Sequence, residues 1–205
     1  MNDAGPAVAL TFDAEHPDRA WCPPGNIDRI LDALVSEGVR ATFFIEGRWA
    51  ESHPGEAKRI AVEGHLVGHH SHYHARMPLL SDRGIESDVV DGQTAIVDAT
   101  GVDPRPWFRC PFGDGVDDER VLQALEGLGY RNVSWNIELN DWEPHRTGAD
   151  IVVDAVAGVE EHGDGSVVLL HTWPGGTADA VGPMIQRLAS VGVRFITVDE
   201  LEVLP

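Results

Sequence analysis

The stretch Val8-Ala9-Leu10-Thr11-Phe12-Asp13 is a short apolar run that ends in a carboxylate, and it decides between two kinds of α/β fold. Its apolar, β-branched and aromatic residues predict a buried strand. No glycine-rich dinucleotide fingerprint follows it, which removes the main reason to expect a Rossmann arrangement. Six further runs of the same kind predict six more strands, over residues 41–46, 65–70, 107–111, 130–136, 166–172 and 194–199.

Helical patterns alternate with these strands. We expect Asn26 to cap a helix over Ile27–Glu37 that stops before Gly38, and Ser81 to open a helix that ends by Gly101. Three more helices are predicted over residues 117–128, 150–161 and 179–191. Such alternation favours a mainly parallel sheet with the helices outside it. About seven units predict closure into a (β/α) barrel or near-barrel, and an open doubly wound sheet is the alternative.

The composition of the 205 residues is that of one soluble globular domain, with 42% hydrophobic residues. No window approaches the roughly 20 apolar residues of a membrane span. The first six residues show no secretory signal, so we expect a cytoplasmic protein.

The net charge of -19 opposes binding to nucleic acids and anionic membranes and favours neutral or cationic substrates. Cys22 and Cys110 lack C-x-x-C spacing, so two reduced thiols are expected, with a bridge between them left open.

Five of the ten histidines lie within residues 64–74, in the order Gly-His-Leu-Val-Gly-His-His-Ser-His-Tyr-His. Imidazole is a common ligand of zinc, and two histidines four residues apart can reach one ion from a single helical turn. Both the pair His70 and His74 and the pair His65 and His69 have this spacing. A hydrolytic metal site also needs a carboxylate and an open position, and the candidate carboxylates are Asp13 and Glu15.

Polar residues stand at the carboxyl ends of the predicted strands. They are Asp13, His70, Arg109, Asn136 and His171. In an α/β barrel this face carries the active site, so residues far apart in sequence are expected to converge on one cleft.

With these residues in view, the chain resembles the polysaccharide deacetylase family. The NodB-homology domains of that family are deformed (β/α) barrels that remove acetyl groups from N-acetyl sugars with a divalent metal. The resemblance covers nearly the whole chain and implies one such domain over residues 1–205. It also implies a metal-dependent hydrolase that acts on a small-molecule or oligosaccharide substrate, with no nucleic-acid or membrane partner.

The first two motifs of the family concern the metal. The usual Thr-Phe-Asp-Asp-Gly has its counterpart in residues 11–15, where Asp13 is retained as the implied general base and Ala14 replaces the metal-binding aspartate. Because residues i and i+2 of an extended chain project to the same side, we expect Glu15 to supply the missing carboxylate. The second motif matches residues 64–74 and implies His70 and His74 as ligands. Zinc is the simplest metal, with cobalt, nickel or manganese as alternatives.

The third motif appears as Arg109-Cys110-Pro111-Phe112-Gly113. By resemblance, Arg109 holds the base carboxylate ionised and oriented, and the backbone N–H of Phe112 faces the oxyanion. The remaining histidines of the rich segment, at positions 65, 69 and 72, are then expected behind the ligands or on the surface.

The fourth and fifth motifs appear in residues 138–142 and 167–172, where the fifth carries Thr172 in place of an aspartate. By resemblance, His171 is the general acid and Asp141 tunes it. Leu169 and Trp142 are implied as the walls of a small acetyl pocket.

Two other functional classes stay open at this point. An intracellular metal-dependent amidase would use the same residues on a small non-carbohydrate amide, and the lack of an export signal favours it. A non-catalytic barrel that only binds its ligand is favoured by Ala14. The retention of acid, base, arginine and histidines on several strands argues against the second class.

Overall fold

The computed structural model describes residues 5–16, 18–19 and 21–201, and in this part of the chain eight strands alternate with seven α-helices. The strands are β1 (Ala7–Ala14), β2 (Thr42–Ile45), β3 (Leu66–His69), β4 (Trp107–Phe108), β5 (Arg131–Asn132), β6 (Ile137–Glu138), β7 (Ser166–His171) and β8 (Arg194–Ile196). The helices are α1 (Asn26–Glu37), α2 (Gly47–Ser52), α3 (Pro54–Val62), α4 (Asp82–Thr100), α5 (Glu119–Gly127), α6 (Gly148–His162) and α7 (Gly175–Ser190).

The strands hydrogen-bond in the order β5-β4-β3-β2-β1-β7-β6, and β8 pairs with β1. The pairs β1–β8, β3–β4, β4–β5 and β6–β7 are parallel. All eight residues of β1 are buried, as expected of a strand covered on both faces. The predicted fold class, a deformed (β/α) barrel of parallel strands, is confirmed.

The predicted strand over 130–136 is wrong in its extent. Only Arg131 and Asn132 pair with β4, and a separate short strand, β6, begins at Ile137. Asn136 therefore does not close a strand at the site. Its backbone N–H donates to the carbonyl of Val167 and its side-chain oxygen accepts from the N–H of the same residue.

The helix predictions were right about Ser81 and wrong about Asn26. The Ser81 hydroxyl accepts a hydrogen bond from the N–H of Gly84, as an N-cap does. Asn26 is instead the first helical residue, and its side-chain amide donates to the carbonyls of Thr172 and Pro174. The sequence reasoning missed α2 and α3, although a proline at the first position of α3 is a typical start signal.

The chain divides into two compact units. The first unit contains residues up to 12, residues 19–42 and residues from 135 onward, and the second contains residues 13–18 and 43–134. In the first unit α7 packs against α1 and α6. In the second unit one apolar cluster fills the space between α4, α5 and β4: Met77, Ile85, Val89, Phe108, Cys110, Val121, Leu125 and Tyr130. The expectation of a single domain over 1–205 stays a prediction.

Within the described residues, no helix has both the length and the apolar character needed to cross a bilayer. Both cysteines are free thiols, as expected.

Candidate active site

Strand ends deliver four polar side chains to one cluster in the second unit. Asp13 is the penultimate residue of β1, and Glu15 follows that strand. His70 comes directly after β3, and Arg109 directly after β4. Because the backbone N–H of Arg109 donates to the carbonyl of His69, the two strand ends are joined at this point.

Arg109 forms a buried ion pair with Asp13. The Nη1 atom of Arg109 lies 2.8 Å from Oδ1 of Asp13, and both side chains are almost wholly buried. The guanidinium also donates from Nε to the carbonyl of Val133 and lies 4.1 Å from the ring centroid of Phe44. Burial lowers the pKa of Arg109, and the charge of Asp13 opposes that shift. The arrangement fixes one oxygen of Asp13 beside the guanidinium.

His70 has the tautomer and orientation of a metal ligand. Its Nδ1 atom lies 2.9 Å from the carbonyl oxygen of Arg109, so Nδ1–H donates there and Nε2 presents its lone pair. The buried Nε2 has no hydrogen-bond partner among the described residues. It lies 3.4 Å from Oδ2 of Asp13 and 3.4 Å from Oε2 of Glu15. A histidine with an unsatisfied nitrogen directed at two carboxylates suits cation binding.

Glu15 and His74 complete the candidate metal centre. Nε2 of His74 lies 2.5 Å from Oε2 of Glu15. One ligand atom from each of Glu15, His70 and His74 lies within 4.8 Å of the others. Two imidazoles and one carboxylate form a donor set found in catalytic zinc sites, so the residues present fit such a metal. The three side chains predicted as ligands are therefore brought together.

The two histidines do not lie on the helical turn that their spacing allows. The chain after His70 forms a loop in which Ser71 and His74 have left-handed backbones, with φ of 62° and 52°. The Ser71 hydroxyl accepts a hydrogen bond of 2.8 Å from the N–H of His74. This turn brings both imidazoles to one point.

Asp88 of α4 anchors the same loop, and the sequence reasoning missed it. Its two carboxylate oxygens accept hydrogen bonds from the backbone N–H groups of His72, at 2.9 Å, and Tyr73, at 3.1 Å. Asp88 is only 5% exposed and lies on the buried face of α4 beside Ile85 and Val89. A carboxylate on the apolar face of an amphipathic helix is the signal that would have found it.

Glycine is required where α4 meets this loop. A Cβ atom on Gly92 would lie 2.5 Å from Nε2 of His69 and 3.0 Å from the backbone nitrogen of His72. The helix approaches the loop this closely only because residue 92 has no side chain.

The electrostatics of the centre differ between its two imidazoles. Burial disfavours the charged form of His70, but the charges of Asp13 and Glu15 outweigh it and raise the pKa of His70. For His74, burial is the stronger influence and lowers its pKa despite the bond to Glu15.

A further buried acid, Glu46, accepts a hydrogen bond of 2.7 Å from the backbone N–H of His16, and burial raises the pKa of Glu46.

The other histidines of the rich segment lie behind the ligands, and none is on the surface. His65, His69 and His72 are each less than 10% exposed. His69 packs on the rings of Phe108 and Tyr130, with centroids 5.0 and 5.3 Å away. Burial lowers the pKa of His69 to about 3, so it is a neutral core residue.

A second predicted group lies within the first unit, at the end of β7. Nδ1 of His171 lies 2.7 Å from Oδ1 of Asp141, and the backbone N–H of His171 donates to Oδ2. Thr177, which the sequence reasoning missed, donates its hydroxyl to Oδ2 at 2.6 Å. Asp141 thus fixes the ring of His171 with Nδ1 as the donor, which directs proton exchange to Nε2.

The predicted substrate-contacting residues differ in exposure. Phe112 has a left-handed backbone with φ of 60°, and its ring lies 4.4 Å from that of His74. Leu169 is buried and lies two positions before His171 on β7, so the two side chains project to the same face of the sheet. Trp142 follows Asp141 and is 44% exposed.

Comparisons with known proteins indicate one family. Residues 1–133 match the family model described as polysaccharide deacetylase. A peptidoglycan-N-acetylglucosamine deacetylase of Bacillus cereus is 31% identical over 198 residues, which are 95% of this chain and 67% of the relative. A chitooligosaccharide deacetylase of Sinorhizobium fredii is 34% identical over 167 residues, with 81% and 72% covered.

The fold also matches a solved structure of a CE4 family pseudoenzyme from Bacillus anthracis, with a TM-score of 0.83 and 28% identity. The match covers 95% of this chain and 64% of that one, so the chain spans somewhat less than two thirds of that protein.

Proposed function

Because the chain belongs to the polysaccharide deacetylase family, we propose that it hydrolyses the N-acetyl group of an N-acetylated sugar or oligosaccharide with a divalent metal held by His70, His74 and Glu15. The observation that carries this proposal is the buried cluster in which these three ligands meet the Asp13–Arg109 pair. The names of the related proteins, peptidoglycan and chitooligosaccharide deacetylases, support an acetylated carbohydrate as the substrate class.

The ligand set favours zinc. A divalent cation at this position would polarise the acetyl carbonyl and make a water molecule more acidic. The hydrogen bond from Nδ1 of His70 to the carbonyl of Arg109 orients the first imidazole, and the Ser71 turn orients the second. Glu15 takes the place of the aspartate that the family carries at position 14, where this chain has a fully buried alanine.

Asp13 is the proposed general base. Arg109 binds Oδ1, and Oδ2 lies 3.4 Å from Nε2 of His70, so Oδ2 is the proposed acceptor of a proton from water. The ion pair with Arg109 limits the rotation of the Asp13 carboxylate. The backbone N–H of Phe112 is the proposed donor to the oxyanion, since the left-handed turn at that residue reorients its peptide.

His171 is the proposed general acid. With Nδ1–H held by Asp141, the proton that reaches the leaving amine comes from Nε2. The hydroxyl of Thr177 and the backbone N–H of His171 both bind Oδ2 of Asp141, so that carboxylate cannot swing away from the ring. Leu169 and Trp142 are the proposed walls of the acetyl pocket, because both lie beside this pair in the sequence.

Metal content and acetate release together test the proposal. Wild type and the variants His70→Ala, His74→Ala and Glu15→Gln are stripped of metal, reloaded with zinc and measured by elemental analysis. His162→Ala and Glu160→Gln are matched controls, because both residues are exposed at the end of α6. Acetate release from N-acetylglucosamine oligomers is then measured for wild type, Asp13→Asn and His171→Ala.

We expect one zinc per chain in wild type and both controls, and loss of it in all three ligand variants. Asp13→Asn and His171→Ala should each lower turnover by about 10²- to 10⁴-fold. Zinc retained by Glu15→Gln would show that Glu15 is not a ligand. A wild type that binds zinc but releases no acetate from any acetylated sugar would support the non-catalytic alternative, which the match to a pseudoenzyme keeps relevant.

A further inference from the structure

A cluster of one exposed and one buried tryptophan lies beside His171 in the first unit. Trp173 comes two residues after His171, and the centroids of the two rings are 6.0 Å apart. Trp21 packs edge-to-face on Trp173, with centroids 6.4 Å apart. Trp173 is buried, but Trp21 is 66% exposed. An indole this exposed leaves one apolar face for a ligand.

A guanidinium completes the cluster. The Cζ atom of Arg19 lies 4.2 Å from the ring centroid of Trp173 and 5.0 Å from that of Trp21. Stacking on two indoles holds the guanidinium plane and leaves its N–H edges for hydrogen bonds. The Nε atom of Arg19 is buried and has no hydrogen-bond partner among the described residues.

The segment that carries the cluster is tied to the chain after β7. The backbone N–H of Cys22 donates to the carbonyl of Arg19, which closes a turn around Trp21. The side-chain amide of Asn26 donates to the carbonyls of Thr172 and Pro174, on either side of Trp173. The segment is therefore closed by a turn at one end and bonded at the other end to the residues that flank Trp173.

Arg19 differs from most arginines of this acidic chain because no described carboxylate forms an ion pair with it. Arginines elsewhere on the surface do pair with acids: Arg29 with Asp179, Arg40 with Glu200, Arg76 with Asp114, Arg105 with Asp103 and Arg120 with Asp82. In a chain with a net charge of -19, a cation that pairs with no acid among the described residues is a local attractor for an anion. Salt screens charges that lie more than about 8–10 Å away, so the charge of Arg19 dominates the interaction with an anion that comes close to it.

We propose that Arg19, Trp21 and Trp173 form a subsite for an N-acetylated sugar that carries a carboxylate, which rests on the function proposed above. The carboxylate binds the N–H edge of Arg19, and the sugar ring packs on the exposed face of Trp21. This assigns a preference for acidic acetylated sugars, whereas the net charge alone favoured neutral or cationic ones.

N-acetylglucosamine and N-acetylmuramic acid are suitable probes, because they differ only by a lactyl group that bears a carboxylate. Binding of each is followed by quenching of tryptophan fluorescence, and acetate release from each is measured separately. The variants are Arg19→Gln, Arg19→Lys and Trp21→Ala. Arg187→Gln is the matched control, because Arg187 is an exposed arginine in the last turn of α7 and the substitution removes the same charge.

We expect wild type to bind the carboxylated sugar about tenfold more tightly, and this ratio to fall as salt rises from 0.05 to about 0.5 M. Arg19→Gln should abolish the ratio, Arg19→Lys should retain part of it, Trp21→Ala should weaken both sugars, and Arg187→Gln should change neither. No preference in wild type, or a preference that survives Arg19→Gln, would overturn the proposal.

Binding and turnover separate this inference from the proposed function. An Arg19-dependent preference in binding, without acetate release from either sugar, would refute the deacetylase activity and leave the subsite standing. Acetate release at equal rates from both sugars would support the deacetylase activity and refute the subsite.

Discussion

Replacing Asp88 by asparagine should destabilise the fold and weaken metal binding together, although Asp88 touches none of the proposed ligands. In the structure each carboxylate oxygen accepts one backbone N–H from the loop that carries His74. Asparagine keeps one acceptor and turns the other into an NH₂ group that faces an N–H. One charge-assisted hydrogen bond is lost, at about 1.5–3 kcal/mol, and one buried donor loses its partner. We therefore expect a loss of about 2–3 kcal/mol in the free energy of unfolding.

The same substitution frees the loop between His70 and His74. Since partners that orient metal ligands typically contribute about 10- to 100-fold to affinity, zinc affinity should fall by that factor. Urea unfolding of the metal-free protein measures the first effect, and titration against a chromogenic chelator measures the second. Asp98→Asn is the control, because Asp98 is exposed on the same helix and its change should stay within about 0.5 kcal/mol.

The reasoning is refuted if Asp88→Asn unfolds within 0.5 kcal/mol (about the measurement error) of wild type and keeps its zinc affinity. A loss of stability with unchanged zinc affinity would show that the loop holds its shape without Asp88.

Three further outcomes are expected. Gly92→Ala should lower the free energy of unfolding in urea by about 1–3 kcal/mol, because the new Cβ would meet His69. Gly127→Ala is the control on α5: its Cβ would have no neighbour within 4 Å, and the free energy of unfolding should rise by up to about 1 kcal/mol. Folding lowers the pKa of His69 from 6.5 to about 3, so the unfolded chain binds the proton first as the pH falls. The stability that neutral His69 contributes is therefore complete above about pH 6.5 and is lost toward pH 3. His69→Leu should make the free energy of unfolding depend less on pH between pH 7 and 5. Burial raises the pKa of Cys110 to about 12, so iodoacetamide followed by mass spectrometry should find Cys22 modified before Cys110, and early labelling of Cys110 would reveal local opening.

The sequence predicted those parts of the fold that have strong local signals. The continuous apolar runs of β1 and β7 indicated buried strands, and Ser81 marked the start of α4. The region from 130 to 138 failed because its two ladders are two residues long each, and hydrogen bonds to neighbouring strands decide where they fall. Local composition carries no information about those partners.

The candidate site divides in the same way. Spacing left two histidine pairs open, and the family resemblance selected His70 and His74. Glu15 was predicted from its i+2 position relative to Asp13, and the structure brings the three side chains together. Asp88 and Thr177 were missed because each acts by a contact that exists only after a helix packs against a distant segment. The place of Asp88 on the apolar face of α4 marked it as unusual, but the type of a residue does not say which distant groups it will bind.

The position of Glu15 bears on how relatives of this chain are judged active or inactive. A search that requires an aspartate at this alignment position finds Ala14 and judges the metal site to be lost. Yet the following residue, just past the end of β1, carries a carboxylate whose oxygen lies 2.5 Å from His74. If Glu15 is a ligand as proposed, a longer side chain one step further along replaces the missing one, and homologues are then better sorted by the positions of their oxygen atoms than by the residue at one alignment position.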